Sequence, residues 1–246
     1  MAKVAADGCL VKPLLLRFFQ DESIEFSYDL RVTRSAARQP DGWFHASTHP
    51  LMSDRELYLY MTGRQVEQRD WGYVGIMSTM FGTMVHSVVQ EAMDQLGVTV
   101  PLPAEPCPAC KLPRASRRVR RGVAGYCWEH GGIDPVTRSR GHLDGILNLE
   151  GTRGWDLKTI RPMSLSKAPD MDAEFFIGKW PYYFAQAQEY MRITGLRKFI
   201  VFFIAMGNPW EMREYHLEFD PALAVAVETK YKRVLAAVEN GQEIIA

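Results

Sequence analysis

The sequence predicts a single domain of mixed α/β class, α+β in the order of its elements, with a central sheet flanked by helices. Three observations carry that prediction. Two stretches with helical spacing precede residue 100, a two-strand hairpin pattern occupies residues 142–160, and a helix, two strands and a final helix follow in that order. The 246 residues divide into a partly helical N-terminal extension (1–77), an insertion (101–136), and a core formed by 78–100 and 137–246.

The elements follow from local signals. The opening stretch contains an apolar run, Leu14 to Phe19, to which the sequence assigns no role, and the polar residues 35–42 read as a loop. Ser53 or Asp54 caps a helix that runs through Leu59 to Gly63. A second helix extends from about Ser78 to Leu96, with Phe81, Met84, Val85, Val88, Val89 and Ala92 at helical spacing, and stops at Gly97. Prolines at 101, 103, 106, 108 and 113 then break regular structure and mark the insertion. His142 to Leu149 reads as one strand, Glu150 to Gly154 as a turn, and Trp155 to Ile160 as the second strand. Pro181 starts a helix that ends before Gly195. Lys198–Met206 and Glu211–Phe219 read as strands, and Asp220 caps a helix from Pro221 to about Glu239.

Composition excludes several classes. Lys plus Arg equals Asp plus Glu at 29 each, so any basic surface must be local. No apolar run approaches the roughly 20 residues of a membrane helix, and no cleavage pattern follows an early apolar segment, so a cytoplasmic protein is expected. Four cysteines without a secretory signal argue against a disulfide scaffold.

The chemistry concentrates in the hairpin, which reads Gly-His-Leu-Asp-Gly at 141–145 and Trp-Asp-Leu-Lys-Thr at 155–159. Residues two apart on a strand share a face, so Asp156 and Lys158 project together, and Asp144 lies on the partner strand across a short turn. Paired carboxylates hold a hard divalent cation, which polarises a phosphodiester and acidifies a water, while a neighbouring lysine orients that water or neutralises charge. An acid-x-Lys strand is ordinarily a solvated face. Here Trp155, Leu157, Ile146 and Leu147 place the charges in an apolar context, where unpaired charge is costly. On the second helix Gly82 precedes His86 by one turn, and on the later helix Tyr182, Gln186 and Tyr190 fall at i, i+4 and i+8. Each of these is also compatible with an ordinary amphipathic face.

The insertion carries its own pattern. Cys107-x-x-Cys110 and Cys127-x-x-His130 are two close pairs separated by a loop, the spacing of a structural Zn²⁺ site with S₃N ligation. Unpaired buried cysteines beside a chance histidine, or iron–sulfur ligation, are the alternatives. Cys9 is left over, as a small apolar residue. Between the pairs lie Lys111, Arg114, Arg117, Arg118, Arg120 and Arg121 with no acidic residue after Cys110. Such a run is often a solvated loop. In a neutral protein, shortly before the hairpin, it reads as a phosphate-contacting segment without base selectivity.

Taken in order, Gly82 to His86, Gly141 to Asp144, Asp156 to Lys158 and Gln186 to Tyr190 resemble the PD-(D/E)XK nuclease superfamily. More narrowly they resemble its RecB-like branch, which includes the CRISPR-associated exonucleases and their phage relatives. The resemblance covers roughly residues 78–195 and implies a restriction-endonuclease-like core. It implies that His86, Asp144, Asp156 and the Leu157 carbonyl hold Mg²⁺ or Mn²⁺, and that Lys158 positions the attacking water. It also implies that Gln186 and Tyr190 orient the lysine side of the site or the DNA, with Tyr182 among the DNA contacts. Aspartate at 156, where many relatives carry glutamate, is within the pattern. No cysteine follows Cys127, so the iron–sulfur cluster of the CRISPR-associated members is expected to be absent. The expected activity is a DNA exonuclease acting on single strands or ends in replication, recombination or repair. A site-specific or structure-specific endonuclease is one alternative. A non-catalytic, zinc-dependent nucleic-acid-binding module is the other, and it is opposed by the intact Asp144, Asp156 and Lys158. Oligomeric state is left open.

Overall fold

A computed structural model of the chain describes residues 8–21, 40–64, 72–100 and 130–245. In chain order their elements are α1 (Val11–Gln20), β1 (Phe44–His45), α2 (Asp54–Met61), α3 (Gly72–Gln95), β2 (His130–Asp134), β3 (Ser139–Leu143), β4 (Gly145–Asn148), β5 (Thr152–Ile160), α4 (Pro162–Leu165), α5 (Ala173–Lys179), α6 (Pro181–Thr194), β6 (Lys198–Ala205), β7 (Asn208–Glu218) and α7 (Pro221–Glu239). The mixed α/β class predicted from the sequence is present, as two sheets with helices on their faces.

The larger sheet has the order β4-β5-β6-β7. Its outer pairs are antiparallel and its central pair, β5 with β6, is parallel, with Asp156 opposite Val201 and Lys158 opposite Phe203. A parallel pair needs a crossover, here supplied by α4, α5 and α6. That crossover covers one face of the sheet, burying Phe176, Trp180, Phe199, Phe203 and Tyr215. The opposite face buries Trp155, Leu157, Ile200 and Phe202 against α1 and α3, through Leu15, Phe18, Val89 and Met93. The smaller sheet, β1-β3-β2, packs against α6, and α2 and α7 enclose a third apolar cluster around Phe44, Leu57 and Tyr231.

Several elements follow the sequence closely. Ser53 caps α2 in a capping box with Glu56, Asp220 caps α7 through Ala222 and Leu223, and Gly195 closes α6 in the left-handed region at φ 75°.

Four features differ from the sequence reading. First, His142 to Leu149 is not one strand. It breaks at Asp144, with β3 entering the small sheet and β4 the large one. Second, β5 begins at Thr152, because Arg153 is buried and donates from Nε to the Leu149 carbonyl at 2.9 Å, tightening the turn. Third, residues 130–134, assigned to the end of the insertion, form β2. Fourth, the opening stretch contains α1. Its N-terminus has no side-chain cap of its own and is capped from β7, where the buried Glu214 carboxylate accepts the N–H groups of Leu10 (2.8 Å), Val11 (2.9 Å) and Lys12 (3.0 Å).

Arg192 on α6 ties that helix to the β2–β3 hairpin of the small sheet. Its guanidinium donates to Asp134 (2.6 Å), Glu189 (2.8 Å), Thr137 (3.1 Å) and Ser139 (2.5 Å). None of the described helices is long and apolar enough to cross a membrane.

Candidate active site

Three elements bring the predicted residues together at the break between the sheets. Asp144 lies between the β3 and β4 ladders and belongs to neither. Its carboxylate is held on both oxygens, with Oδ2 accepting the Leu157 N–H at 2.6 Å and Oδ1 lying 3.1 Å from His86 Nδ1. On β5, Asp156 and Lys158 share a face as expected, with Oδ2 and Nζ 2.5 Å apart. The Tyr183 ring lies against the lysine, its centroid 5.3 Å from Nζ.

The glycines of the pattern set the approach distances. A Cβ at Gly82 would lie 3.0 Å from Thr159 Oγ1, so the missing side chain lets α3 come down onto β5 and brings His86 to Asp144. A Cβ at Gly141 would lie 2.6 Å from Tyr190 Cε1 and 2.8 Å from Ala46 Cβ. Its register partner Gly132 is as tight, at 2.7 Å from Ile193. This glycine pair seats α6 against the small sheet.

On α6, Gln186 and Tyr190 are buried and bonded to each other, Nε2 donating to the tyrosine hydroxyl at 2.8 Å. Tyr182 is 60% exposed. The inward face of this helix therefore runs through Tyr183, Gln186 and Tyr190, a spacing of i, i+3 and i+7.

The electrostatics are those of crowded buried anions. Burial works to raise the Asp144 pKa, but His86 and Lys158 outweigh it and hold the carboxyl below the usual range. Burial pushes Asp156 up to about 6 against the pull of Lys158, with Asp144 adding to the rise. His86 is pulled down by burial, yet the Asp144 charge prevails and raises it. Lys158 is likewise lowered by burial and raised on balance by Asp156 and Asp144. Protons are thus held more tightly than usual at both His86 and Asp156, at Asp156 chiefly through burial and at His86 through the neighbouring carboxylates. That donor set, one imidazole and two carboxylates, fits a divalent cation. The side chains are turned onto each other here, and among the described residues no group of three or more His, Cys, Asp or Glu side chains converges on a common point.

Two neighbours of the site escaped the sequence reading. Gln90, one turn beyond His86 on the same helix face, donates from Nε2 to the Asp144 carbonyl at 3.0 Å. Its i+4 spacing from His86 was the available signal. Tyr183 was legible only as the inward neighbour of Tyr182.

Of the predicted zinc set, Cys107, Cys110 and Cys127 lie outside the described residues, as do Lys111, Arg114, Arg117, Arg118, Arg120 and Arg121. His130 is described. It is buried at the start of β2, and its Nε2 donates to the Val100 carbonyl at 2.9 Å. Val98 to Val100 add to the free edge of β4, through Val100 N to Ile146 O (2.7 Å) and Asn148 N to Val98 O (2.8 Å).

No family model and no curated protein matches the sequence. Solved structures do match. The fold is similar to an alkaline exonuclease, LHK-Exo, from Laribacter hongkongensis, with a TM-score of 0.52 and 17% identity over 83% of this chain and 91% of that one. The same exonuclease in complex with dAMP gives a TM-score of 0.50 and 17% identity over 82% and 90%. With the sheet order and the placement of Asp144, Asp156 and Lys158 described above, the chain is built on the PD-(D/E)XK-type fold that LHK-Exo carries.

Proposed function

We propose that the protein is a Mg²⁺- or Mn²⁺-dependent DNA exonuclease that hydrolyses phosphodiester bonds of single strands or DNA ends, in replication, recombination or repair. The observation that carries this reading is the meeting of His86, Asp144, Asp156 and Lys158 where β3, β4, β5 and α3 converge. Each group has a chemical task. His86, Asp144 and Asp156, with the Leu157 carbonyl, supply the nitrogen and oxygen donors that a hard divalent cation takes. When bound, that ion supplies Lewis-acid polarisation of the scissile phosphate. Lys158, already 2.5 Å from Asp156 and lodged beside Tyr183, offers a fixed ammonium to a water or to phosphate oxygen. Gln186 and Tyr190 brace α6 behind the lysine, and exposed Tyr182 offers a ring to a base or sugar. The likeness in fold to an alkaline exonuclease, also solved in complex with dAMP, supports this class of substrate.

The insertion is part of the proposal. Cys107, Cys110, Cys127 and His130 bind a structural Zn²⁺, and the basic residues from Lys111 to Arg121 contact phosphates. Burial holds the His130 pKa down, and with Nε2–H directed at Val100 the Nδ1 lone pair is the ligating position. The whole chain, 1–246, acts as a single domain.

Digestion of end-labelled linear single-stranded and duplex DNA in Mn²⁺, with circular DNA alongside, tests the activity. Wild type degrades the linear DNA, the circle resists, and Asp156→Ala and Lys158→Ala lose at least about 100-fold in rate. Equal digestion by all three proteins, or by none, refutes the assignment, and cutting of the circle makes the enzyme an endonuclease. Elemental analysis finding iron, or no zinc, overturns the zinc assignment.

A further inference from the structure

We infer that Gln90 is a positioning residue that fixes the Asp144 carboxylate from behind. The inference rests on the proposed metal-ligand role of Asp144 and extends it to a side chain outside the superfamily pattern.

The argument begins with the backbone. Asp144 stands where the chain leaves one sheet and enters the other, so its carbonyl is in neither ladder. A buried carbonyl in that position needs a donor from elsewhere. Gln90 supplies it, with Nε2 at 3.0 Å from a side chain that is 1% exposed. The arrangement has a cost. The other end of the amide, Gln90 Oε1, is buried without a hydrogen-bond partner among the described residues. Retaining a half-satisfied amide at a fully buried position is unfavourable for stability and points to a positional use. Gln90 and His86 lie one helical turn apart, so α3 grips Asp144 twice, at the carbonyl through Gln90 and at Oδ1 through His86. Leu157 N–H holds Oδ2 from β5. If Gln90 lets go, the backbone at the sheet break is free to turn, and the carboxylate loses its aim at the Leu157 amide.

The test uses Gln90→Met, which keeps the volume, removes the donor, and also removes the orphaned Oε1. One unsatisfied atom replaces another, so the melting temperature is expected to stay within a few degrees of wild type. In metal-free protein, amide hydrogen exchange of Leu157 should quicken about tenfold, while amides of the β6–β7 ladder hold their wild-type rates. Calorimetric titration with Mn²⁺ should show about tenfold weaker binding, the lower end of what loss of an outer hydrogen bond costs a metal site. Unchanged exchange at Leu157 overturns the inference. So does uniformly faster exchange across β5, β6 and β7, because that is the signature of a purely structural residue. The exchange measurement needs no metal. If wild type binds no Mn²⁺ while Leu157 responds as described, the metal reading fails and the positioning of Asp144 by Gln90 stands.

Discussion

The Tyr190 ring occupies the space in which a side chain at Gly141 would stand, with Cε1 2.6 Å from the position of a Cβ. Gly141 is three residues before Asp144, and Tyr190 is hydrogen-bonded to Gln186. The Gly141–Asp144 and Gln186–Tyr190 segments are thus in direct contact, and the glycine of one is the seat of the tyrosine of the other. Gly141→Ala should destabilise the fold by about 1–3 kcal/mol through overpacking, lowering the melting temperature by several degrees. Tyr190→Leu on the same background should recover part of that loss, with a coupling of at least about 0.5 kcal/mol in a double-mutant cycle. Additive effects in thermal melts would show that the ring yields freely and that the contact sets nothing.

The raised Asp156 carboxyl predicts a pH dependence with a definite sign. Its folded pKa of about 6 lies above the ordinary 3.8. Its favourable contribution is therefore present below about pH 4 and is lost as pH rises through 6. Metal-free wild type should lose about 2–3 kcal/mol across that window relative to Asp156→Asn. A divalent cation needs the carboxylate ionised, so Mn²⁺ binding should weaken about tenfold per unit below pH 6. Thermal melts and calorimetry from pH 4 to 8 read both slopes. A flat Mn²⁺ affinity across pH 5–7 would falsify the involvement of Asp156.

Glu214 holds α1 to the sheet. Its carboxylate accepts three backbone N–H groups of the helix start and lies 2.6 Å from His216 Nε2. Lys12 reaches Asp170 at 2.6 Å, and Asp170 in turn accepts the Glu214 N–H at 3.0 Å. Glu214→Ala should cost about 3 kcal/mol, since charge-assisted bonds are lost and the helix donors are left buried. Hydrogen exchange in residues 11–20 should rise ahead of the rest of the protein. Denaturant unfolding with unchanged midpoint would contradict this.

Arg192 should be intolerant of substitution for a different reason. Arg192→Met leaves Asp134 and Glu189 without their shared cation, and Glu189 is 2% exposed. A cost of about 3–5 kcal/mol is expected. Adding Glu189→Gln to the same variant should restore a portion by removing the uncompensated charge. Equal midpoints for the single and double variants in urea would rule that account out.

Local chemistry made some elements legible and distance hid others. The caps at Ser53 and Asp220, the stop at Gly195 and the shared face of Asp156 and Lys158 are all decided within a few residues, and all appear as read. The run from His142 to Leu149 reads as one strand because local composition and a following turn mark a strand and say nothing about which sheet it joins. The division at Asp144 is made by partners far along the chain. The same holds for α1, whose cap lies 204 residues from Leu10 in Glu214. In the site, His86, Asp144, Asp156 and Lys158 were visible by residue type. Gln90 and Tyr183 were not, since an amide and a phenol carry meaning only once their neighbours are known.

The stems of the insertion have a consequence for how this protein can vary. Val100 and His130 are joined by one hydrogen bond, and Val98 to Val100, which end at that junction, are already stitched to β4. The two ends of the segment therefore meet whatever lies between them, and the core does not depend on its length to close. Joining Val100 to His130 through a short turn in place of residues 101–129 should therefore leave the described sheets folded, and would separate the proposed cleavage at Asp144, Asp156 and Lys158 from the proposed contribution of the cysteines and arginines.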